Sequence, residues 1–102
     1  MILYDNNSMV NEVRFTWDEA KRQENINKRG LDIAVLAAKV FADKTVVIRQ
    51  DSRKDYGEDR YLAYGVSDSL RLCICFTPRG ESTIHLITIF KVNKREWEKY
   101  HG

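Results

Sequence analysis

The chain has 102 residues, with 17 Lys and Arg against 15 Asp and Glu and a formal net charge of +2. This length suits one domain with a single core and is too short for two. The charge is too small to indicate nucleic-acid binding alone, so the positions of the arginines matter more. No apolar run approaches the roughly 20 residues of a membrane-spanning helix, and the N-terminus lacks the pattern of a signal peptide. We therefore expect a cytoplasmic protein that does not enter a membrane.

The first twelve residues precede any clear periodic pattern. We predict that residues 1–12 form a flexible N-terminal extension and that residues 13–102 form a single domain. The alternative for the extension is an added edge strand that contains Ile2-Leu3-Tyr4.

A short strand and two helices are predicted next. Val13, Phe15 and Trp17 alternate as in a half-buried strand. Asp18 can cap a first helix that ends at Gly30 in the left-handed conformation. A second, amphipathic helix with an aspartate cap is indicated by Asp32, Ile33, Leu36, Ala37, Val40 and Phe41.

Four strands and a short helix complete the predicted order. The β-branched and alternating patterns place strands at residues 45–49, 60–66, 70–77 and 83–92, followed by a helix from Asn93 to about Tyr100. Short connections predict antiparallel pairing, and the last strand is apolar enough for the interior of the sheet. We expect an α+β fold in which the two helices cover one sheet face and leave the other partly open.

Three features contain residues suited to RNA cleavage: the polar loop before residue 60, the turn at Arg79, and the last strand. In that strand His85 and Lys91 are six residues apart, which predicts one shared face. Cleavage without a metal needs a base for the ribose 2′-hydroxyl and cations for the phosphate. The residues that match these needs are Arg53, Arg60 and Arg79 for phosphate, Glu58 or His85 as the base, and Tyr56 and Tyr61 for base stacking.

None of these patterns is specific alone. A mixed-charge loop is usually solvated, a single strand histidine is usually not catalytic, and Glu58 most simply pairs with Arg60. Cys73 and Cys75, two apart on one strand, are poorly placed for a disulfide and are predicted to be buried thiols. We predict no metal site and no cofactor.

A series of short motifs runs through most of the chain, from Phe15-x-Trp17-Asp18-x-x-Lys21 to the tail around Tyr100. Between them stand Asn25-x-x-Lys28-x-Gly30, Val40-Phe41-x-Asp43, Gly57-Glu58-x-Arg60, Gly65 and Thr77-x-Arg79-Gly80. In this order they resemble the BrnT family of toxins from type II toxin–antitoxin modules.

The resemblance implies a RelE-like α+β fold, with an antiparallel sheet of about four to five strands, an N-terminal two-helix unit and a short C-terminal helix. It implies a ribonuclease toxin that cleaves RNA and arrests growth, and we predict that this endoribonuclease needs no metal. It also implies a ribbon–helix–helix antitoxin, usually two with two toxins, through which the complex contacts operator DNA and represses its own operon.

Applied to this chain, the resemblance and the residue chemistry together assign two sets of site residues. The predicted catalytic residues are Glu58, Arg60, Arg79 and His85, and the predicted RNA-binding residues are Lys21, Lys28, Arg29, Arg53 and Lys91. Arg29 and Phe90 depart from the usual family pattern, which has a histidine and an arginine there, and His85 stands where an arginine is common. They motivate an alternative, a catalytically weakened homologue that mainly binds antitoxin in operon autorepression. A third hypothesis is a structural RNA-binding domain without chemistry.

Overall fold

A computed structural model describes residues 13–101, and the predicted extension at residues 1–12 lies outside the described residues. The elements are, in order, β1 (Arg14–Trp17), α1 (Glu19–Arg29), α2 (Ile33–Ala42), β2 (Val47–Gln50), β3 (Tyr61–Ser67), β4 (Leu70–Pro78), β5 (Thr83–Lys91) and α3 (Lys94–His101). The α+β prediction and the predicted order of elements are confirmed. Between residues 13 and 101 no helix has the length and apolarity needed to cross a membrane.

The helix ends are set by the residues that the sequence indicated. The Asp18 carboxylate accepts hydrogen bonds from the backbone N–H groups of Ala20 and Lys21, at 2.9 and 3.2 Å. Gly30 ends α1 with φ of 68°, a conformation that glycine adopts without a steric penalty. Asp32 then caps α2 through the N–H of Ala34. With only Leu31 between Gly30 and the second cap, the two helices turn sharply against each other.

The five strands form one sheet in the order β1-β5-β4-β3-β2. The strands β2 to β5 pair antiparallel in succession, as their short connections predict. The predicted antiparallel sheet differs at its edge, where β1 lies parallel to β5 with Phe15 opposite Ile84. Parallel strands need a long connection, and here the chain from α1 to β4 connects β1 to β5. The interior position predicted for β5 is confirmed.

Each face of the sheet has its own core. On the α2 face, β4 contributes Leu72, Ile74 and Phe76 to a cluster that includes Val40 and Phe41 of α2. On the opposite α3 face lies a second cluster: Leu62, Tyr64, Cys73, Cys75 and Val92, with Trp97 and Tyr100 of α3 packed against it. The predicted alternation along β4, with the cysteines buried as free thiols, is therefore confirmed.

A β-bulge in β5 reverses one prediction. The register with β4 shifts between Cys75, which faces Thr88, and Phe76, which faces Leu86. The extra residue in β5 inverts the alternation of side chains beyond it. His85 lies opposite Thr77 on the α3 face, whereas Lys91 lies opposite Leu72 on the α2 face. The prediction that His85 and Lys91 share a face is wrong.

Candidate active site

A cleft of about 220 Å³ forms where the start of α1, the loop before β3, the β4–β5 turn and the bulged part of β5 meet. Its walls contain all four residues predicted to be catalytic, together with one of the predicted RNA-binding lysines. The lining residues are Asp18, Lys21, Glu58, Arg60, Arg79, His85, Leu86 and Ile87. These residues come from four separate segments, so only the folded chain brings them together.

Glu58 joins two arginines of the cleft. Its Oε2 accepts a hydrogen bond of 3.1 Å from Nε of Arg60, and its Oε1 lies 3.8 Å from Nη2 of Arg79. Both carboxylate oxygens are therefore directed at guanidinium groups. This geometry suits a carboxylate that orients cations better than one that accepts a proton from substrate. Arg79 remains 55% exposed, so its side chain is accessible to a ligand in the cleft.

His85 is held by the neighbouring strand. Its Nδ1 lies 2.8 Å from the hydroxyl oxygen of Thr16, the residue that pairs with it across β1 and β5. Burial lowers the pKa of His85, and the positive charge of Arg79 lowers it further, while Glu58 and Asp18 act in the opposite direction. The imidazole is consequently neutral near pH 7 and has a lone pair to accept a proton. With Nδ1 engaged by Thr16, Nε2 is the nitrogen left for a substrate.

Among residues 13–101, those that line the cleft carry an excess of positive charge. Lys21, Arg60 and Arg79 contribute three cations, and Asp18 and Glu58 contribute two carboxylates. One oxygen of Asp18 accepts a hydrogen bond from the first turn of α1, and Glu58 is paired with Arg60. An anionic group such as a phosphodiester therefore meets guanidinium donors and a neutral imidazole in the same space.

The loop before β3 is built on Asp51, a residue that the sequence analysis did not single out. Its side chain is fully buried and accepts hydrogen bonds of 2.7 Å from both Nε and Nη2 of Arg53, and one of 3.1 Å from the Tyr56 hydroxyl. These bonds, the Arg53 pair first among them, lower the pKa of Asp51 against the effect of burial. Arg53, predicted to bind phosphate, is directed at Asp51 and is not among the residues that line the cleft.

Two comparisons with known proteins bear on this cleft. A family model described as "Ribonuclease toxin, BrnT, of type II toxin-antitoxin system" matches residues 17–96, which include every polar residue of the cleft. The chain belongs to the BrnT family. The family implied by the sequence motifs is thus confirmed, and membership in a type II system implies an antitoxin partner.

A solved structure agrees with the family assignment. The chain is similar to the ribonuclease toxin BrnT of Brucella abortus, whose crystal structure was determined at 1.1 Å resolution, with 28% sequence identity and a TM-score of 0.64. The similarity covers 80% of this chain and 99% of that one. No curated protein sequence matches the chain.

The remaining residues predicted to bind RNA lie outside the cleft of this BrnT family member. Lys28 pairs with Glu24 at 2.8 Å on the exposed side of α1. The Arg29 guanidinium donates to Asn25, Thr88 and the carbonyl of Ile89, and so ties the end of α1 to β5. Lys91 lies on the α2 face, at the far end of β5 from His85.

Phe90, the second departure from the family pattern, is also outside the cleft. It lies opposite Cys73 and packs against the cluster on the α3 face. An aromatic side chain at this position therefore extends the second core. Neither Phe90 nor Arg29 is among the residues that line the cleft.

Thr16 is the residue of this site that sequence reasoning missed most clearly. It sits between two apolar residues of a short strand, and nothing local distinguishes it from a solvent-facing strand threonine. Its role depends on the parallel pairing of β1 with β5, which places it directly opposite His85.

Proposed function

We propose that this BrnT family member is an endoribonuclease that acts in the cytoplasm and cleaves RNA without a metal ion. The observation that carries the proposal is one cleft that holds His85, whose pKa is lowered by burial, beside two arginines joined by Glu58. A base and paired cations are the groups that cleavage through the ribose 2′-hydroxyl requires.

The proposed reaction begins at the 2′-hydroxyl. Nε2 of His85 accepts its proton as the 2′-oxygen forms a bond to the adjacent phosphorus. The bond between phosphorus and the 5′-oxygen then breaks, and the leaving oxygen takes a proton from water in the open cleft. The products are a 2′,3′-cyclic phosphate and a 5′-hydroxyl end.

Arg60 and Arg79 stabilise the negative charge that builds up on the two non-bridging oxygens in the transition state. A guanidinium keeps its proton at all relevant pH values and offers a planar pair of donors, so it suits this role. Glu58 holds the two guanidinium groups in place, and Lys21 supplies a further positive charge to the bound phosphate. Lys28, Arg29, Arg53 and Lys91 are proposed to contact only the RNA that extends beyond the cleft.

The positive charge of the cleft supports cleavage without a metal, since a divalent cation would meet the charges of Lys21, Arg60 and Arg79. The test is cleavage of a labelled RNA by purified protein in excess EDTA. We expect an unchanged rate and fragments with 2′,3′-cyclic phosphate ends, and no cleavage where the nucleotide is 2′-deoxy. Activity that disappears in EDTA and returns with Mg²⁺ would contradict the proposal.

We further propose that the antitoxin is a ribbon–helix–helix protein that neutralises the chain in a complex of two toxins and two antitoxins, and that this complex represses its operon. Family membership supports the partner in general. Co-expression with the neighbouring gene product should relieve growth arrest and yield a complex whose mass, measured by light scattering, fits this composition and which binds operator DNA.

Phe90 and Arg29 motivate the alternative of a catalytically weakened homologue. Both lie outside the cleft, so neither substitution removes a charge from it. This observation favours an active toxin. Growth after induction of the chain alone separates the two: arrest supports the toxin, whereas normal growth with abundant folded protein supports the weakened homologue.

A further inference from the structure

The Arg60 guanidinium lies over an aromatic ring. Its central carbon lies 4.2 Å from the ring centroid of Tyr56, within the range of a cation–π contact. The same guanidinium lines the cleft and donates through Nε to Glu58. Two contacts therefore act on Arg60, a hydrogen bond from its Nε to Glu58 and a cation–π contact with the Tyr56 ring.

Tyr56 is in turn held through its hydroxyl by a buried carboxylate. Its hydroxyl donates to Oδ2 of Asp51 at 3.1 Å, and the Asp51 side chain is fully enclosed. Two hydrogen bonds from Arg53 fix the orientation of that carboxylate. The backbone N–H of Asp51 also donates to the carbonyl of Arg60 at 2.8 Å, so the loop closes at the arginine itself.

We infer that Asp51 and Tyr56 are positioning residues for Arg60, and that the Tyr56 ring sets the plane in which the guanidinium meets the scissile phosphate. The inference rests on the proposed ribonuclease function. It adds that Asp51 and Tyr56 hold the Arg60 guanidinium in place for the phosphate. A long arginine side chain has large rotamer freedom, which a phosphate contact would otherwise have to restrict. Fixing the guanidinium before RNA binds lets its donors act where the charge develops.

This arrangement also assigns a different role to Tyr56 than base stacking. Arg60 occupies one face of the ring, and Nζ of Lys54 lies 5.2 Å from the same ring centroid. The hydroxyl is bound to Asp51. Tyr56 therefore contacts the protein through both its ring and its hydroxyl, and its effect on RNA passes through Arg60.

The kinetic test compares Tyr56→Phe and Tyr56→Leu on a short RNA that fills only the cleft. Leucine removes the ring, and we expect kcat to fall roughly 3- to 30-fold with KM nearly unchanged, because the contact acts on a group needed in the transition state. Phenylalanine keeps the ring and loses only the bond to Asp51, so its loss should be smaller. Lys54→Ala is the matched control, since Lys54 contacts the same ring but does not line the cleft, and its kcat should equal that of the parent.

A double-mutant cycle separates positioning from general loop stability. Lysine has no guanidinium plane to be set, so Tyr56→Leu should have little further effect on kcat in an Arg60→Lys background. Equal losses in both backgrounds, or an unchanged kcat in folded Tyr56→Leu, would overturn the inference.

A spectroscopic measurement distinguishes failure of this inference from failure of the proposed function. The Nε–H proton of Arg60 should be shielded by the Tyr56 ring current in the NMR spectrum of the parent and of Tyr56→Phe. This measurement does not depend on catalysis, and in the parent it does not depend on whether a variant folds. An unshielded Arg60 proton in the parent would refute the stacking, whereas a shielded proton in a protein that cleaves no RNA would refute only the function.

Discussion

Thr16 and His85 stand opposite each other on two parallel strands, with the Thr16 hydroxyl oxygen 2.8 Å from Nδ1 of His85. When Nδ1–H donates to the hydroxyl, Nε2 carries the lone pair that a general base requires. The contact therefore couples the edge strand β1 to the chemistry of the cleft. A general base at this position therefore requires the His85 tautomer with its proton on Nδ1, and this tautomer can be measured directly.

Replacement of Thr16 by valine keeps the shape of the side chain and removes the hydroxyl. We expect kcat for RNA cleavage to fall by roughly 2- to 12-fold, the effect of one hydrogen bond, with KM nearly constant. Thr16→Ser retains the hydroxyl and should keep most of the activity. The ¹⁵N shifts of His85 should report a mixture of tautomers in Thr16→Val only; a parent-like spectrum and rate in Thr16→Val would contradict this role.

The pKa of His85 predicts how cleavage depends on pH. Burial and Arg79 hold this pKa below the ordinary histidine value of 6.5. The base is active only when neutral, so the rate should be level near pH 7 and should fall with acidification only below pH 6.5. An acidic limb above that value would count against His85 as the base.

Arg79→Gln tests the electrostatic part of this shift. Loss of the positive charge should raise the pKa of His85, so the histidine should titrate at a higher pH than in the parent. NMR titration of His85 measures this directly and does not depend on activity. Lys44→Gln removes an exposed charge from the turn after α2 and should leave the titration unchanged.

The cations inside and outside the cleft should differ in their effects. Combined replacement of Arg60 and Arg79 by alanine should abolish cleavage of both short and long RNA while the circular dichroism spectrum stays that of the parent. Lys28→Ala and Lys91→Ala should leave cleavage of a short RNA unchanged and weaken binding of a long one, with a smaller salt dependence. Full activity in the soluble double arginine variant would show that the cleft is not the active site.

Gly65 marks a close approach between α2 and β3. A methyl group at this position would lie 2.9 Å from the carbonyl oxygen of Val40 and 3.0 Å from its Cγ1. Asp43 adds to the contact by accepting a hydrogen bond of 2.7 Å from the N–H of Val66. We expect Gly65→Ala to lower the free energy of unfolding by about 1–3 kcal/mol, since the backbone of α2 must move.

A control for Gly65→Ala lies in the turn that follows the same strand. Ser69 has φ of 70°, where a side chain is unfavourable, so Ser69→Gly should leave the free energy of unfolding unchanged or slightly higher. Urea unfolding of both variants provides the comparison. A Gly65→Ala protein as stable as the parent would show that α2 accommodates the methyl group.

Local pattern was enough to predict most of the fold. Asp18, Gly30 and Asp32 set helix ends through their own backbone and side-chain chemistry, which depends only on residues a few positions away. The alternation of Leu72, Cys73 and Ile74 likewise assigns their faces without knowledge of other strands. The residue types of the cleft could also be predicted, since RNA cleavage restricts its bases and cations to few side chains.

The sequence by itself thus determined the order of the elements, the faces of β4, the family and the chemical character of the candidate residues. Tertiary structure decided which of those residues meet. The bulge in β5 places Lys91 and His85 on opposite faces of the sheet. The parallel pairing of β1 places Thr16 opposite His85. Arg53 pairs with buried Asp51 and does not line the cleft. Each of these outcomes depends on strand register or on desolvation of a charge, and both are set by segments far apart in the chain.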